Sequence, residues 1–463
     1  MLPHSLRFST LFALALLILL PSIPTLAWGP HPEITRAALS SLPAEHPLKK
    51  ILGNVTPRLD RYVWMADWRQ QLLIHQDEVF YADDFLLFPA APRHLQHICP
   101  EVEQTYAPYF RRALQALTTE SPENAARWIG AILHFTTDTG SPPHAAGFLG
   151  PAHSKMENWV DAKSITLADY QPALFGAEPE SALAGFLARM RGLIAFSKER
   201  ANRCRADVDA DRRAEVEPVV LESALETARV TADLLHTLGT LAANSPTTPS
   251  ISGVISSNPH RDPVLRRLPT KVVLIGTNYS TLAAADGTFA FRNLPEGTYT
   301  LNASAPGSQS ASLAVSVQPK VTSTISIQLP SESDGNLLRN SDFSLRWINQ
   351  DEPDFWQLKT LPAKLAAATG QKDWNSEWVP LEDGTAYTCS ALPNADSTNT
   401  RIFVRTKPRK EAQKAAEETE PVSPADPSIV VQGGPDSGWA QVCIRSNTHP
   451  SKALKKIIFC KRD

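Results

Sequence analysis

The sequence predicts a multidomain protein in which an all-α domain is followed by two all-β sandwich domains. From Pro32 to about Asn244, apolar residues recur every three or four positions, which is typical of amphipathic helices. The segment 245–250 reads Ser-Pro-Thr-Thr-Pro-Ser, a composition that indicates a linker. Beyond it, short runs rich in β-branched residues are separated by turn residues, and this pattern favours antiparallel sandwiches.

Length and composition agree with this organisation. The chain has 463 residues, enough for about three domains at ~150 residues each. Hydrophobic residues make up 42% and charged residues 20%, which excludes wholesale disorder. The net charge of −3 argues against a basic face built for duplex DNA or for an anionic membrane.

The first 27 residues have the pattern of a secretory signal peptide. Arg7 supplies the positive charge, and Leu11 to Leu20 form an apolar run that is followed by Pro-Ser-Ile-Pro-Thr-Leu-Ala. The alternative, an uncleaved anchor, needs about 20 apolar residues, and this run is far shorter. We therefore expect cleavage after Ala27, a mature chain that begins at Trp28, and a secreted, periplasmic or cell-surface protein.

The helical domain is predicted to span 28–244. Ser121 followed by Pro122 is typical of a helix start, and Leu221 to Leu241 has the pattern of a further amphipathic helix. An oxidising compartment makes Cys99 and Cys204 a candidate disulfide, with a second pair among the last three cysteines. Buried free cysteines are the alternative.

The first β domain is predicted at 251–330. Turn residues such as Asp286-Gly287 separate its short strands. The sequence ISGVI…ADGTFAFRNLPEGTYTL resembles that of the carboxypeptidase regulatory-like domain, a transthyretin-like sandwich. The predicted strands are Ser252–Ile255, Lys271–Ile275, Thr288–Phe291, Thr298–Ser304, Ala311–Val317 and Thr322–Gln328.

The last segment, 333–463, is predicted to be a second sandwich. Its opening, NLLRNSDFSLRWINQDEPDFW, resembles jelly-roll modules of the galactose-binding or carbohydrate-binding kind. That resemblance makes a glycan a candidate ligand, with exposed tryptophans stacking on sugar rings. The alternative is that the tryptophans only fill the core. They are Trp347, Trp356, Trp374, Trp378 and Trp439.

A group of histidines and carboxylates in the helical domain has the spacing of a metal site. His134 and Asp138 are four residues apart, as are His153 and Glu157, so each pair lies on one face of a helix. Between the pairs, Gly-Ser-Pro-Pro breaks the first helix and returns His144 toward them. Imidazole nitrogens with carboxylate oxygens suit Zn²⁺. The alternative is a set of hydrogen-bonded surface histidines.

These residues resemble the signature of the zinc-dependent phospholipase C / S1–P1 nuclease superfamily. Its pattern H-x₃-D-x₅-H is present from His134 to His144, and HSKMEN from His153 to Asn158 is closer to the bacterial phospholipases C, which have Glu where the nucleases have Asp. The resemblance covers 28–244. It implies an all-α domain holding two to three zinc ions, and single-strand nuclease activity is the alternative to phospholipase C.

The resemblance also implies the remaining ligands. The α-amino group and carbonyl oxygen of Trp28, together with His31, are expected at one zinc. An Asp and a His should come from the stretch before His134, and Asp84 with His97 is preferred. The alternatives are Asp83, Asp67 within a Trp-Met-Ala-Asp motif, and His94. Asp84 and Asp138 are the expected catalytic carboxylates.

The resulting hypothesis is a secreted, monomeric, zinc-dependent phosphoric diester hydrolase of the phospholipase C type. Its expected partner is a phospholipid or another phosphodiester, and no P-loop or Rossmann pattern suggests a nucleotide cofactor. Residues 28–244 are expected to suffice for catalysis, with 251–463 placing the enzyme on a surface. The non-enzymatic alternative is a zinc-stabilised surface or carbohydrate-binding protein.

Overall fold

The computed structural model describes residues 28–64, 73–75, 78–79, 97–245, 249–257, 270–277, 279–284, 286–345, 353, 356–359, 370–407, 416–425, 429–433 and 438–462. It confirms the predicted fold class, since a helical N-terminal half is followed by two regions of packed β-sheets. Among these residues, none of the helices combines the length and the hydrophobicity that a membrane span needs.

Helices form nearly all of the regular structure between residues 31 and 243. A two-stranded hairpin of β1 (Leu73–His75) and β2 (Glu78–Val79) is the described exception, which the sequence did not reveal. The helices are α1 (His31–Ser41), α2 (Pro47–Leu52), α3 (Leu59–Tyr62), α4 (Glu103–Thr119), α5 (Pro122–Gly140), α6 (Pro142–Ala146), α7 (Pro151–Asn158), α8 (Pro179–Asp209) and α9 (Arg213–Ala243), with 3₁₀ turns at Gly53–Arg58 and Ala162–Ser164.

Helix α5 runs through the centre of this domain, and every residue from Asn124 to Gly140 is buried. It begins as predicted, because Ser121 caps it by accepting a hydrogen bond from the Asn124 amide at 3.3 Å and a proline follows the cap. Gly130 lets α5 approach α3 closely: a Cβ atom there would lie 2.4 Å from the carbonyl oxygen of Tyr62. The central helix is therefore fixed at both its start and its middle.

A pair of histidines joins α2 to the long helix α9. His46 caps α2, since its Nδ1 accepts a hydrogen bond from the Leu48 amide at 3.2 Å. Its Nε2 lies 2.8 Å from Nδ1 of His236, and only 5% of the His46 surface is exposed. Burial, then the neighbouring His236 and Lys49, lowers the pKa of His46 to about 4. Burial also lowers the pKa of His236.

We expect this pair to make the fold less stable in mild acid. In the unfolded chain His46 takes up a proton near pH 6.5, whereas in the fold it does so only near pH 4. The unfolded state therefore binds more protons between these values, and the free energy of unfolding should fall as pH falls through this window. With solvent screening allowed for, the loss should be roughly 1–2 kcal/mol.

Urea unfolding of the metal-free chain at several pH values between 4 and 6.5 measures this loss. The matched variant is His46→Asn, which keeps a capping oxygen for the Leu48 amide but has no titrating ring. Its stability should depend less steeply on pH than that of the wild-type chain. Equal slopes for the two proteins would contradict the assignment.

The first β domain packs a three-stranded sheet against a four-stranded sheet. In the first sheet, of order β6-β3-β9, β3 and β9 are parallel; the second sheet has the order β5-β4-β7-β8. The core between them is built from inward-facing side chains of both sheets. The strands are β3 (Pro249–Ser257), β4 (Lys271–Leu274), β5 (Ser280–Leu282), β6 (Thr288–Arg292), β7 (Gly297–Ser304), β8 (Ala311–Val317) and β9 (Ser323–Leu329).

The second β domain has a five-stranded sheet of order β10-β11-β16-β13-β14 and a three-stranded sheet of order β15-β12-β17. Its described tryptophans are buried: Trp356, Trp374, Trp378 and Trp439 are 0–4% exposed. They fill the fold instead of presenting rings to a ligand. The elements are β10 (Trp356–Lys359), β11 (Lys372–Pro380), β12 (Ala386–Pro393), β13 (Arg401–Lys407), β14 (Glu417–Glu418), β15 (Ile429–Gln432), β16 (Trp439–Ser446), α10 (Pro450–Ala453) and β17 (Leu454–Lys461).

The helical domain and the first β domain share a polar interface at the α4–α5 turn. Arg112 and Glu120 form a buried ion pair, with 2.6 Å between Nη1 and Oε1. Across the interface, the Ser121 amide donates to Oγ1 of Thr281 at 2.9 Å, and the Asn293 side chain donates to the Thr118 carbonyl at 2.9 Å. The two domains are therefore in specific contact despite the linker between them.

The predicted Cys99–Cys204 disulfide is wrong, and all five cysteines are free thiols. Cys204 Sγ points back along its own helix and donates to the Ala201 carbonyl at 3.8 Å. Burial raises the pKa of Cys99 to about 12 and that of Cys204 to about 11, so both remain protonated at neutral pH. The alternative of free cysteines holds for all five; Cys204, Cys389 and Cys443 are buried, and Cys99 and Cys460 are partly exposed.

Candidate metal centre

Helices α5 and α7 bring the predicted histidines and carboxylates into the interior of the helical domain. His134 and Asp138 lie one turn apart on α5 and are fully buried. His153 and Glu157 lie one turn apart on α7 and are 4% and 1% exposed. Ser141 and the two prolines that follow end α5 and start the short helix α6, whose His144 then turns toward both pairs, as the sequence predicted.

Asp138 is the centre of the first group. Its Oδ2 lies 2.7 Å from Nδ1 of His97 and 3.0 Å from Nε2 of His134. Its Oδ1 lies 3.2 Å from Nε2 of His31, which is the first residue of α1. The potential ligand atoms of His31, His134 and Asp138 all lie within 4.8 Å of one another.

Glu157 is the centre of the second group. Its Oε1 lies 2.9 Å from Nε2 of His144 and 3.1 Å from Nε2 of His153. The ligand atoms of these three residues also fall within 4.8 Å of one another. The two groups adjoin, because Nδ1 of His144 is 3.9 Å from Oδ2 of Asp138.

Backbone carbonyls orient three of the imidazole rings. The Nδ1 atoms of His134, His144 and His153 donate to carbonyl oxygens, at 2.7, 2.5 and 2.9 Å. A carbonyl can only accept, so each of these rings carries a proton on Nδ1, and Nε2 is the ring nitrogen that faces the site. The acceptors are the carbonyls of Val63, His97 and Phe148.

A threonine orients the fourth ring. The hydroxyl of Thr137 donates to the helix carbonyls of Leu133 and His134, at 2.8 and 2.9 Å, so it accepts the Nδ1 proton of His31 at 2.6 Å. His31 therefore also presents Nε2 inward. Donation of the other ring nitrogen to a protein acceptor is the usual arrangement of a metal-binding histidine.

Electrostatics keep both carboxylates ionised. Burial would raise the pKa of Asp138, but the adjacent His134 and His144 outweigh it and hold the pKa well below its usual range. Burial would likewise raise the pKa of Glu157, yet hydrogen bonds from His144 and His153 lower it. His144, facing both carboxylates, has its pKa raised to about 9 against the effect of burial.

This donor set fits a divalent metal. Glu157 Oε2 is buried and accepts no hydrogen bond among the described residues. Burying a carboxylate oxygen without a hydrogen-bond donor destabilises the fold unless a cation neutralises the charge. Nitrogen and oxygen ligands without a thiolate suit Zn²⁺. Each group of three could hold one such ion.

The structure brings together seven of the nine predicted ligands: His31, His97, His134, Asp138, His144, His153 and Glu157. Asp67, Asp83, Asp84 and His94 lie outside the described residues. Trp28 is fully buried beside the site, with its ring edge-on to His31 at 6.3 Å. Sequence reasoning missed Thr137, although its position three residues after His134 puts it on the ligand-bearing helix. It could not have found the orienting carbonyls, because every residue has one.

Comparison with known proteins identifies one domain. Residues 250–330 match the family model of the carboxypeptidase regulatory-like domain, as the sequence suggested. No curated protein matches the chain.

Similar solved structures are distant. Alpha-toxin of Clostridium perfringens is 10% identical, with a TM-score of 0.34 over 66% of this chain and 96% of the toxin chain. A type II cohesin–X-dockerin complex from Acetivibrio cellulolyticus is 20% identical over 19% of this chain, with a TM-score of 0.16, and the match spans 64% of that chain, just under two thirds of its length. Carbohydrate-binding modules of the β-sandwich superfamily are 11% identical, with a TM-score of 0.16 over 42% of this chain and 85% of theirs.

Proposed function

We propose that this chain is a zinc-dependent phosphodiester hydrolase that cleaves phospholipids in the manner of a phospholipase C. The observation that carries the proposal is the orientation of four buried imidazoles, which each donate Nδ1 to a protein acceptor and direct Nε2 toward Asp138 or Glu157. The sequence motif that begins at His153, with Glu157 as the last ligand, favours a phospholipase over the alternative, a single-strand nuclease.

The chain's own residues would perform three tasks at this site. His144, His153 and Glu157 would hold one ion, and His31, His134 and Asp138, with His97 beside them, would hold its neighbour. When bound, zinc supplies Lewis-acid chemistry: it acidifies a water and neutralises charge on the phosphate oxygens. Asp138 remains an anion, and its carboxylate oxygens lie within 3.2 Å of ring nitrogens of His31, His97 and His134. The carbonyls of Val63 and Phe148 fix the ring positions, so little reorganisation is needed.

A direct assay tests this function. The purified chain would be stripped of metal with a chelator, reconstituted with Zn²⁺ and given phosphatidylcholine vesicles or a single-stranded DNA oligonucleotide. We expect release of phosphocholine, dependent on zinc, and two to three zinc ions per chain by elemental analysis. Cleavage of the oligonucleotide alone would favour the nuclease. Fewer than one zinc per chain, or inactivity on both substrates with zinc bound, would contradict the proposal.

Two histidine variants distinguish the loss of a zinc ligand from a general effect of removing an imidazole. His153→Ala removes a proposed ligand whose ring lies 3.1 Å from Glu157. His449→Ala removes a histidine that caps the short helix α10 in the second β domain. We expect the first variant to lose zinc and activity, and the second to keep both.

Processing at Ala27 is part of the proposal and yields its own prediction. If the new terminus at Trp28 contributes its α-amino group to a zinc ion, even one additional residue before Trp28 converts that amine into an amide, which does not bind zinc. Activity should then fall at least ~10-fold while the helical circular dichroism is unchanged. The same residue added after Asp463 is the control. Full activity of the N-terminally extended chain would remove Trp28 from the site.

A further inference from the structure

The loop between α6 and α7 is an apolar protrusion on the helical domain. This segment, which we call the tip loop, runs from Gly147 to Pro151 and reads Gly-Phe-Leu-Gly-Pro, so none of its residues has a polar side chain. Leu149 is 72% exposed, the highest value among the exposed large hydrophobic residues that the structure describes, and Phe148 is partly buried. Exposed apolar surface is unfavourable in water, so the tip gains free energy when it enters an apolar medium.

Hydrogen bonds fix the tip loop to the candidate metal centre. The Phe148 amide donates to the Pro143 carbonyl at 2.8 Å, and the Phe148 carbonyl accepts from Nδ1 of His153 at 2.9 Å. The guanidinium of Arg205 on α8 lies over the Phe148 ring, 4.9 Å from its centroid. The position of Leu149 is therefore set relative to a proposed zinc ligand.

The tip loop lies on the side of the metal centre that reaches the surface. Among the seven clustered ligands, His97 has the most exposed side chain, at 16% against 0–6% for the others. The loop packs beside the segment that follows His97: the Cys99 amide donates to the His144 carbonyl at 3.1 Å, and a Cβ atom on Gly147 would lie 3.5 Å from the Cys99 carbonyl oxygen. A surface that receives Leu149 would therefore lie against the exposed edge of the centre.

The charges near the tip loop do not favour an anionic partner. Two cations beside it form ion pairs, Arg205 with Asp209 at 2.8 Å and Lys155 with Asp211 at 2.6 Å. The charged neighbours of Cys99 carry one net negative charge: Glu101, Glu103 and Lys198. Positive charge does not exceed negative charge among these residues, so electrostatic attraction to an anionic surface is not expected.

A lone exposed leucine is common on protein surfaces, and the setting of this one favours lipid over a protein partner. A stable protein interface buries at least ~1,000 Å² and includes several apolar residues. The other exposed large hydrophobic residue described in the helical domain is Leu174. Its neighbour Phe175 packs on Phe186, about 28 Å along α8 from Arg205, so the two leucines do not form one patch. A bilayer needs no complementary surface and can receive a single side chain.

We propose that the tip loop inserts Leu149 into the surface of a zwitterionic phospholipid bilayer and holds the exposed edge of the metal centre against the lipid head groups. The inference rests on the proposed function, because a site that acts on lipid gains from being held there. One leucine does not anchor a protein, so the association is reversible. It raises the rate on lipid in vesicles but does not change turnover of a soluble phosphodiester.

Sedimentation with vesicles measures the association without turnover. The full, zinc-reconstituted chain would be mixed with vesicles of a phosphonate analogue of phosphatidylcholine, in which a carbon–phosphorus bond replaces the ester bond that a phospholipase C would cleave. We expect wild type to bind these vesicles, and doping them with an anionic phospholipid should not tighten binding. Absence of binding, or binding that requires the anionic lipid, would overturn the proposal.

Three variants locate the contact. Leu149→Asp replaces the apolar side chain with a charge and should weaken vesicle binding at least ~10-fold. Leu149→Trp introduces a ring that is favoured at membrane interfaces and should bind at least as tightly as wild type. Leu174→Asp makes the first change at the other exposed leucine of the domain and should bind normally. Wild-type binding by Leu149→Asp, or an equal loss in Leu174→Asp, would remove the loop from the contact.

Activity distinguishes this proposal from the proposed function. With zinc bound, Leu149→Asp should hydrolyse phosphatidylcholine vesicles about 10-fold more slowly than wild type, yet turn over soluble p-nitrophenylphosphorylcholine at the same rate. Equal losses on both substrates would show that the loop acts on the metal centre itself and would overturn the proposal. Vesicle binding through Leu149 by a chain that is inactive on every phosphodiester would overturn the proposed function alone.

Discussion

Asp138→Asn should abolish zinc binding at the first group of ligands and lower phosphodiesterase activity by more than ~100-fold. The carboxylate lies within 3.2 Å of three imidazoles, those of His31, His97 and His134, so it is the negative charge around which the first group is arranged. The neutral amide keeps the shape of the side chain but not its charge. Loss of a direct ligand should exceed the ~10–100-fold effect typical of residues that only orient ligands.

A second buried aspartate provides the control. Asp233 on α9 is 4% exposed and accepts hydrogen bonds from the Tyr170 hydroxyl and the Ala173 amide, both at 2.8 Å. Asp233→Asn removes a buried charge from the same domain, and we expect zinc stoichiometry to stay unchanged. Elemental analysis and an assay on a soluble phosphodiester measure both variants. Normal zinc content in Asp138→Asn would remove this residue from the metal centre.

Gly130→Ala should destabilise the helical domain by ~2–4 kcal/mol. The added methyl group would lie 2.4 Å from the Tyr62 carbonyl oxygen, a backbone atom that cannot rotate away, so α5 must shift relative to α3. His134 follows one turn later on α5, and its Nδ1 binds the Val63 carbonyl beside Tyr62. The same shift should therefore weaken zinc binding, which equilibrium unfolding and zinc titration would measure together.

Gly192→Ala is the matched change at a position with space. Gly192 is an exposed residue within α8, and a Cβ atom there meets nothing within 4 Å. Replacing a mid-helix glycine with alanine normally stabilises a helix by about 0.5–1 kcal/mol. We expect this variant to be more stable than wild type. A loss of stability equal to that of Gly130→Ala would show that close packing at Gly130 is not the cause.

Local sequence spacing was sufficient to predict which side chains converge in the interior of the helical domain. His134 with Asp138, and His153 with Glu157, converge because residues four apart share a helix face, and the two prolines after Ser141 return His144. The contact of His97 with Asp138 is also in the structure, although the resemblance and not the spacing pointed to it. The atoms that orient the rings could not be predicted, because backbone carbonyls leave no trace in the sequence.

The fold was predictable where strands carry a clear pattern. The predicted strand Ala311–Val317 coincides with β8, whereas β5 was missed because three residues are too few to show alternation. Two residues of the predicted linker, from Pro249, belong to β3, where Pro249 pairs with Arg292. The burial of the tryptophans on β11 and β16 depends on what covers each face of the sheet, which neighbouring residues in the chain do not encode.

The polar interface at the α4–α5 turn restricts how this architecture could arise by recombination. At its start, helix α5 is tied to the β domain, because the amide of its cap residue Ser121 donates a hydrogen bond to Thr281; the helix ends about 28 Å away, beyond the metal ligands. A foreign sandwich grafted at the linker would need a hydroxyl where Thr281 stands and a surface that accommodates the buried pair of Arg112 and Glu120. We therefore expect the helical domain and its neighbouring sandwich to be exchanged together, as one evolutionary unit.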